Sequence, residues 1–207
     1  MRIAKNKRRV ILREHARSEI IGVGEGATLT YIFFAGQKNQ TIILNINLEG
    51  RGSTVKVFGF NIADRSAMRV NIAVCHKAPQ TSGFTRIKSV LGGVAQSTIS
   101  GMIRMEKVAR LAEGYFTHNT LLLSQGVLGK TSPSLEIEAN EVKASHAATI
   151  GHFDAEVLFY LMSRGIKAAV AKKLVMLSFV SEYLQEIDEE STRTECRHLL
   201  ERRLASL

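Results

Sequence analysis

From Ser18 to Ile150 the chain keeps a period of two and is rich in β-branched residues, the pattern of strands with one buried and one solvated face. The runs that read as strands are Thr28–Phe34, Thr41–Leu48, Thr54–Ile62, Met68–Cys75, Thr85–Leu91, Ser97–Met102, Thr120–Ser124, Leu135–Ala139 and Val142–His146. For most of this length their starts step by roughly a dozen residues. Turn signals such as Gly50-Arg51-Gly52, Asp64-Arg65-Ser66 and Gly92-Gly93 lie between them. Such spacing fits a sandwich, a barrel or a coil of stacked strands. No Asn-Gly or Asp-Gly hairpin dipeptide occurs anywhere, and small or polar residues punctuate the repeating pattern, which favours the stacked coil. The repeat is one of spacing and not of residue identity, so periodicity leaves all three architectures open.

At Gly151 the character changes. Asp154 is suited to cap a helix over Ala155–Ser163, with Leu158, Leu161 and Met162 on one face and Gly165 where the helix would end. A second helix is expected over about 167–185, with Val170, Leu174, Leu177 and Val180 or Ser181 at three-to-four spacing, and a third over 192–204 carrying Cys196, Leu199, Leu200 and Leu204. The expected division is a basic arm over 1–17, a β core over 18–152 and a helical segment over 153–207.

The 207 residues carry a formal net charge of +9. Residues 1–110 hold 18 Lys and Arg against 6 Asp and Glu, whereas residues 111–207 hold 10 against 13, so the excess positive charge lies entirely in the first half. A basic balance raises the prospect of an anionic partner, and a β-structured nucleic-acid binder using Lys5 to Arg9 is the alternative function it suggests. Against that, the chain has no Trp and only 6% aromatics, without the stacking platform that single strands use. The longest apolar candidate, Ala168 to Val180, is interrupted by Lys172 and Lys173, and the N-terminus lacks a signal-peptide core; a cytoplasmic protein with no membrane partner is expected. Cys75 and Cys196 are too far apart in sequence to form a CxxC pair.

Other motifs carry little. Ser124-Gln-Gly-Val-Leu-Gly-Lys130-Thr131 resembles a phosphate-binding loop but has Ser at the first position, and the alternating Leu135-Glu-Ile-Glu138 downstream is a strand signal where a helix is needed. Gly22-Val-Gly24-Glu-Gly26 reads as a turn. The six histidines, His15, His76, His118, His146, His152 and His198, form no HxH or HxxxH pair, so any metal site must assemble through space or across subunits. Glu136, Glu138 and Glu141 sit on ordinary strand and turn positions, which is no catalytic carboxylate pair.

One stretch is more specific. Pro133-Ser-Leu-Glu-Ile-Glu-Ala-Asn-Glu-Val-Lys-Ala-Ser-His146-Ala-Ala-Thr-Ile-Gly151, continuing to Phe159-Tyr-Leu-Met-Ser-Arg-Gly-Ile166, resembles the C-terminal signature of the SufB/SufD family of iron–sulfur cluster assembly proteins. Upstream, His76-Lys-Ala-Pro79, Lys88-Ser-Val-Leu-Gly92, Ser100-Gly-Met-Ile-Arg104 and Asn119-Thr-Leu-Leu-Leu-Ser124 fall in the family's order. The resemblance implies a mainly β chain, a right-handed parallel β-helix core with a C-terminal α-helical segment. It implies a non-catalytic scaffold that pairs through its β-helix with a SufB-like subunit or a second copy, and docks a SufC-like ABC ATPase on its helices. A transient iron–sulfur cluster would form at the subunit interface, with none held stably by this chain alone.

Within the family the chain looks SufD-like. SufB-type members carry a cysteine where Asn119 stands, and carboxylates where Ser145 and Ala147 flank His146. His146 is the residue carried over as the cluster-assembly candidate and interface-shared metal ligand. Phe159, Tyr160, Leu161, Arg164, Gly165 and Ile166 are the ATPase-docking candidates. Ala144 replaces a cysteine of many SufD relatives, and the N-terminal helical domain usual in the family is expected to be missing, because strand-like sequence begins so near Met1.

Overall fold

The computed structural model describes all 207 residues, Met1–Leu207. Twelve strands come first: β1 Arg2–Ile3, β2 Arg8–Arg13, β3 Glu19–Val23, β4 Thr28–Ala35, β5 Gln40–Leu48, β6 Thr54–Ala63, β7 Ala67–His76, β8 Ser82–Leu91, β9 Gln96–Met105, β10 Glu113–Leu122, β11 Leu128–Ile137 and β12 Lys143–His152. Helices α1 Ala155–Ser163, α2 Ala168–Ser181 and α3 Glu190–Leu204 follow, with a 3₁₀ turn at Glu182–Glu186 between the last two.

Odd-numbered strands form one sheet, in the order β1-β3-β5-β7-β9-β11, and even-numbered strands the other, in the order β12-β10-β8-β6-β4-β2. Every pairing is parallel, so consecutive strands always lie in opposite sheets and each strand pairs with the one a full circuit away. This is a β-helix. A sandwich or barrel built from hairpins would need antiparallel neighbours, and there are none. Pairing is unbroken along the strands: Thr54 lies opposite Ser82, Ser82 opposite Glu113 and Glu113 opposite Lys143.

The two sheets enclose one core, which includes Ile21, Leu29, Tyr31, Phe33, Ile46, Val57, Val70, Ile87, Ile99, Ile103 and Phe116. Their outer faces differ, and this explains the sequence pattern. The odd sheet is solvated outside, so β5, β7 and β9 alternate, with Thr41, Arg69 and Thr98 side by side on the outer face. The even sheet is covered by the helices: Ile32, Phe34, Phe58, Phe60, Val90 and Leu121 pack with Met176, Val180, Tyr183, Leu184, Leu199, Leu200 and Leu204. Strands buried on both faces lose their alternation, hence the continuous apolar run Tyr31-Ile-Phe-Phe-Ala35 in β4.

The stretch 1–17, read from its charge as an arm, contains β1 and β2, which pair with β3 and β4. Ile11 faces the core and Leu12 packs under the helices, and four of the seven cations of the stretch are paired: Arg2 with Glu49, Lys5 with Glu25, and Arg13 and Arg17 with Glu19. Of the Lys5 to Arg9 cations that the nucleic-acid alternative needs, Lys5 is ion-paired, while Lys7, Arg8 and Arg9 stand on or beside β2 without an acidic partner. The last three strands begin earlier or run further than the sequence suggests, because Tyr115-Phe-Thr-His-Asn119 and Gly129-Lys-Thr-Ser-Pro133 are polar or small yet are held extended by their neighbours.

Charge asymmetry has a structural counterpart. Lys56, Arg86 and Lys88 on the outer face of the even sheet pair with Asp188, Glu186 and Glu182, so the acidic segment after α2 closes on the basic sheet. The Lys88 side chain is only 4% exposed, with Nζ 2.6 Å from Glu182 and 4.2 Å from the centre of the Phe179 ring. Lys88→Met keeps the aliphatic stem and loses the charge. It is expected to lower stability by about 1–2 kcal/mol in urea denaturation, the scale of a charge-assisted hydrogen bond plus a cation–π contact.

Candidate functional site

The β-helix ends in two strands, β11 and β12, each paired on one side only. His146 lies on β12 opposite Phe116 of β10, and Phe116 points into the core. By alternation Ala144, His146, Ala148 and Ile150 share that inward-facing row. Ala144 packs against the core accordingly. No further coil covers the row, so His146 is exposed at the open mouth. On β11 the corresponding inward row is Gly129, Thr131, Pro133, Leu135 and Ile137, set by pairing with Ser97, Ile99, Gly101, Ile103 and Met105.

One coil below the mouth lies His118, 1% exposed, opposite Ala148. Its Nδ1 is 2.8 Å from Thr131 Oγ1 and its Nε2 2.8 Å from Ser89 Oγ. Burial pushes its pKa down to about 4, so the ring is neutral near pH 7. His76, fully buried, behaves alike: burial lowers it to about 4 despite the bond between Nδ1 and Thr81 Oγ1 at 2.8 Å. Gly83 and Gly114 make room for its ring, since a Cβ at either would sit 3.0 or 3.2 Å from Nε2. Both rings are structural. Strand periodicity does not distinguish either from His146, because what separates them physically is the coil each occupies.

No three His, Cys, Asp or Glu side chains converge anywhere in the chain. Cys75 and Cys196 are both free, and burial raises the Cys196 thiol to about 12, which keeps it unreactive. The near-miss phosphate loop is divided between the turn after β10, where Ser124 Oγ donates to the Gly93 carbonyl at 2.8 Å, and the start of strand β11, which holds Gly129-Lys130-Thr131, and no helix follows.

The helical candidates divide. Asp154 caps α1 as expected, accepting from the Glu156 N–H at 2.8 Å, and Gly165 takes a left-handed φ of +85° after it. Yet α1 buries none of its residues: Phe159 is 74% and Tyr160 57% exposed. Arg164 lies over the Tyr160 ring at 5.3 Å, while Leu161 and Ile166 are half-buried and bonded to each other through the backbone. Val170 and Leu174, which share the three-to-four spaced stripe of α2, are exposed. Spacing gives the stripe but not which part of it the β-helix covers.

The chain matches the family described as "SUF system FeS cluster assembly, SufBD core domain" over residues 5–179. It is 26% identical over 185 residues to the iron–sulfur cluster assembly protein SufD of Escherichia coli, covering 86% of this chain and 42% of that protein. Against SufD of Bacillus subtilis the identity is 30% over 131 residues, covering 63% and 30%. A SufBD family protein of Mycobacterium leprae is 29% identical over 175 residues, covering 80% and 45%. The chain thus spans less than half the length of these curated relatives.

Proposed function

The chain belongs to the SufBD core-domain family of the SUF system, whose work is iron–sulfur cluster assembly, and from that premise we propose that it is a SufD-like scaffold without catalytic activity of its own. In this reading the open end of the β-helix pairs with a SufB-like subunit or a second copy, in the cytoplasm. His146 then faces the junction between the two chains. An exposed imidazole in its neutral form ligates iron well, and because no three His, Cys, Asp or Glu side chains converge in the chain, at least part of the ligand set comes from the partner. The nascent cluster is cargo at that junction.

A SufC-like ABC ATPase would dock on α1 and the adjoining part of α2. The single observation that carries this reading is the exposed apolar face of α1, Phe159 and Tyr160 above all, on a helix that contributes nothing to the core. A surface helix with its apolar residues outward is stable when a partner covers them.

Co-expression with a SufC-like ATPase tests the docking. The full chain is expected to co-purify with the ATPase, and Phe159→Asp with Tyr160→Asp is expected to reduce recovery at least tenfold, since two aromatic anchors contribute on the order of 2 kcal/mol or more each. The fold should survive, because neither side chain is buried. Equal recovery would remove the docking assignment. For His146, His146→Ala should leave the melting temperature unchanged while lowering cluster yield on the assembled complex; an unchanged yield would return the residue to a structural role.

A further inference from the structure

Three side chains on three elements form a continuous polar chain across the outer face of the even sheet. Tyr183, in the 3₁₀ turn after α2, is 3% exposed, and its hydroxyl donates to Asn119 Oδ1 at 2.8 Å. Asn119 sits on β10, and its Nδ2 donates in turn to Thr149 Oγ1 on β12, also at 2.8 Å. Burial raises the Tyr183 hydroxyl to about 12, so it remains a donor throughout the physiological range. Tyr183 is itself held firmly: Glu182 beside it pairs with Lys88, Glu186 pairs with Arg86, and the Lys88 ammonium lies 4.7 Å from the centre of the Tyr183 ring.

The remaining side-chain hydrogen bonds from the helical segment to the β-helix end on Glu14, Ala35, Lys56, Arg86 and Lys88, all on or near strands of earlier coils. The path through Asn119 is the one such link that reaches β12. That strand has a partner on one side only, and Thr149 lies three residues along it from His146. A carboxamide suits the position because it accepts from one neighbour and donates to the other at once.

We propose that Asn119 is a positioning residue, through which Tyr183 of the helical segment holds the edge strand β12, and with it His146, in place. The coupling is a property of the chain by itself. Its consequence for cluster assembly rests on the function proposed above, and joins the two faces of the scaffold: whatever grips the helices also steadies the strand at the open mouth.

Amide hydrogen exchange on the full chain tests it. Tyr183→Phe removes the hydroxyl and keeps the ring, and it is expected to speed exchange in β12 about fivefold, the equivalent of ~1 kcal/mol for one hydrogen bond, with β4 and β6 unchanged. Asn119→Ala should do at least as much, and the double variant no more than Asn119→Ala alone, since both cut one path. Unchanged β12 exchange in Tyr183→Phe, or a rise spread evenly over all strands, would overturn the proposal. Adding a SufC-like ATPase supplies a separate readout. Protection gained in β12 by the parent chain and not by Tyr183→Phe supports both readings. Failure of the ATPase to bind, with the exchange differences intact, overturns the docking and leaves the coupling standing.

Discussion

Acidification from about pH 6.5 to about pH 4 is expected to unfold the protein cooperatively. His76 and His118 are held neutral in the folded chain with pKa values near 4, against 6.5 for a solvated imidazole. Above pH 6.5 both states bind no proton at these sites, and the depressed values cost nothing. Below it the unfolded chain takes up two protons that the folded chain refuses, so stability falls until the folded-state values are reached. Each histidine accounts for on the order of 3 kcal/mol across that window, because lowering a pKa by one corresponds to about 1.4 kcal/mol. Two together rival the roughly 5–15 kcal/mol of a typical domain. Glu19 extends the loss to lower pH: hydrogen bonds from Arg13, Arg17 and Tyr31 hold its carboxyl at about 2, so its contribution is complete above 4.5 and disappears as pH falls toward 2.

Urea midpoints at successive pH values check this. Stability should fall by about 3 kcal/mol per pH unit around pH 5, the slope of two uncompensated protons. In His118→Asn, which is less stable at every pH, the slope should be about half. A parent slope that the substitution leaves untouched would assign the acid transition to other groups. The effect matters for the proposed site as well, since Thr131 on the edge strand β11 is tied to the His118 ring.

Much of the fold is legible because the β-helix repeats a local rule. Between Thr28 and Met102 the runs of the solvated sheet announce themselves by alternation and those under the helices, such as Tyr31–Ala35, by unbroken apolar stretches, and the switch at Gly151 together with the Asp154 cap marks α1 correctly at both ends. The choice of a β-helix over a sandwich is not legible from spacing, since both bury one face of each strand; the family-like block around His146 decides it. What stays hidden depends on contacts distant in sequence. Arg8 and Arg9 mask β2 because charge says nothing of which neighbour will pair with a strand. Asn119 gives no sign of its two partners, as Tyr183 is brought to it by a helix that the sequence places only by its own periodicity. At the site, His146 can be singled out by resemblance, whereas its exposure follows from being on the last coil, a fact about where stacking stops.

Gly101→Ala is the second substitution expected to have a large effect, and it links the core to the open mouth. Gly101 lies on β9 beneath the ring of Phe116, and a Cβ there would come 2.1 Å from one ring carbon and 2.4 Å from two others. Phe116 is 2% exposed and surrounded by core, so the ring has nowhere to retreat except along the axis toward the uncovered end. Overpacking of this kind costs about 3 kcal/mol. The same ring is the cross-strand neighbour of His146, and Gly101 is that of Pro133, so a displaced Phe116 pushes on both edge strands. Loss of stability in denaturation should therefore come with shifted His146 ring resonances in the NMR spectrum. Phe116→Leu, costly alone because it leaves a cavity, should recover part of the loss when combined with Gly101→Ala, with a coupling of roughly 1–3 kcal/mol in the double-mutant cycle. Strict additivity would mean that the ring and the glycine do not share the space, and that the floor under His146 is set by some other contact.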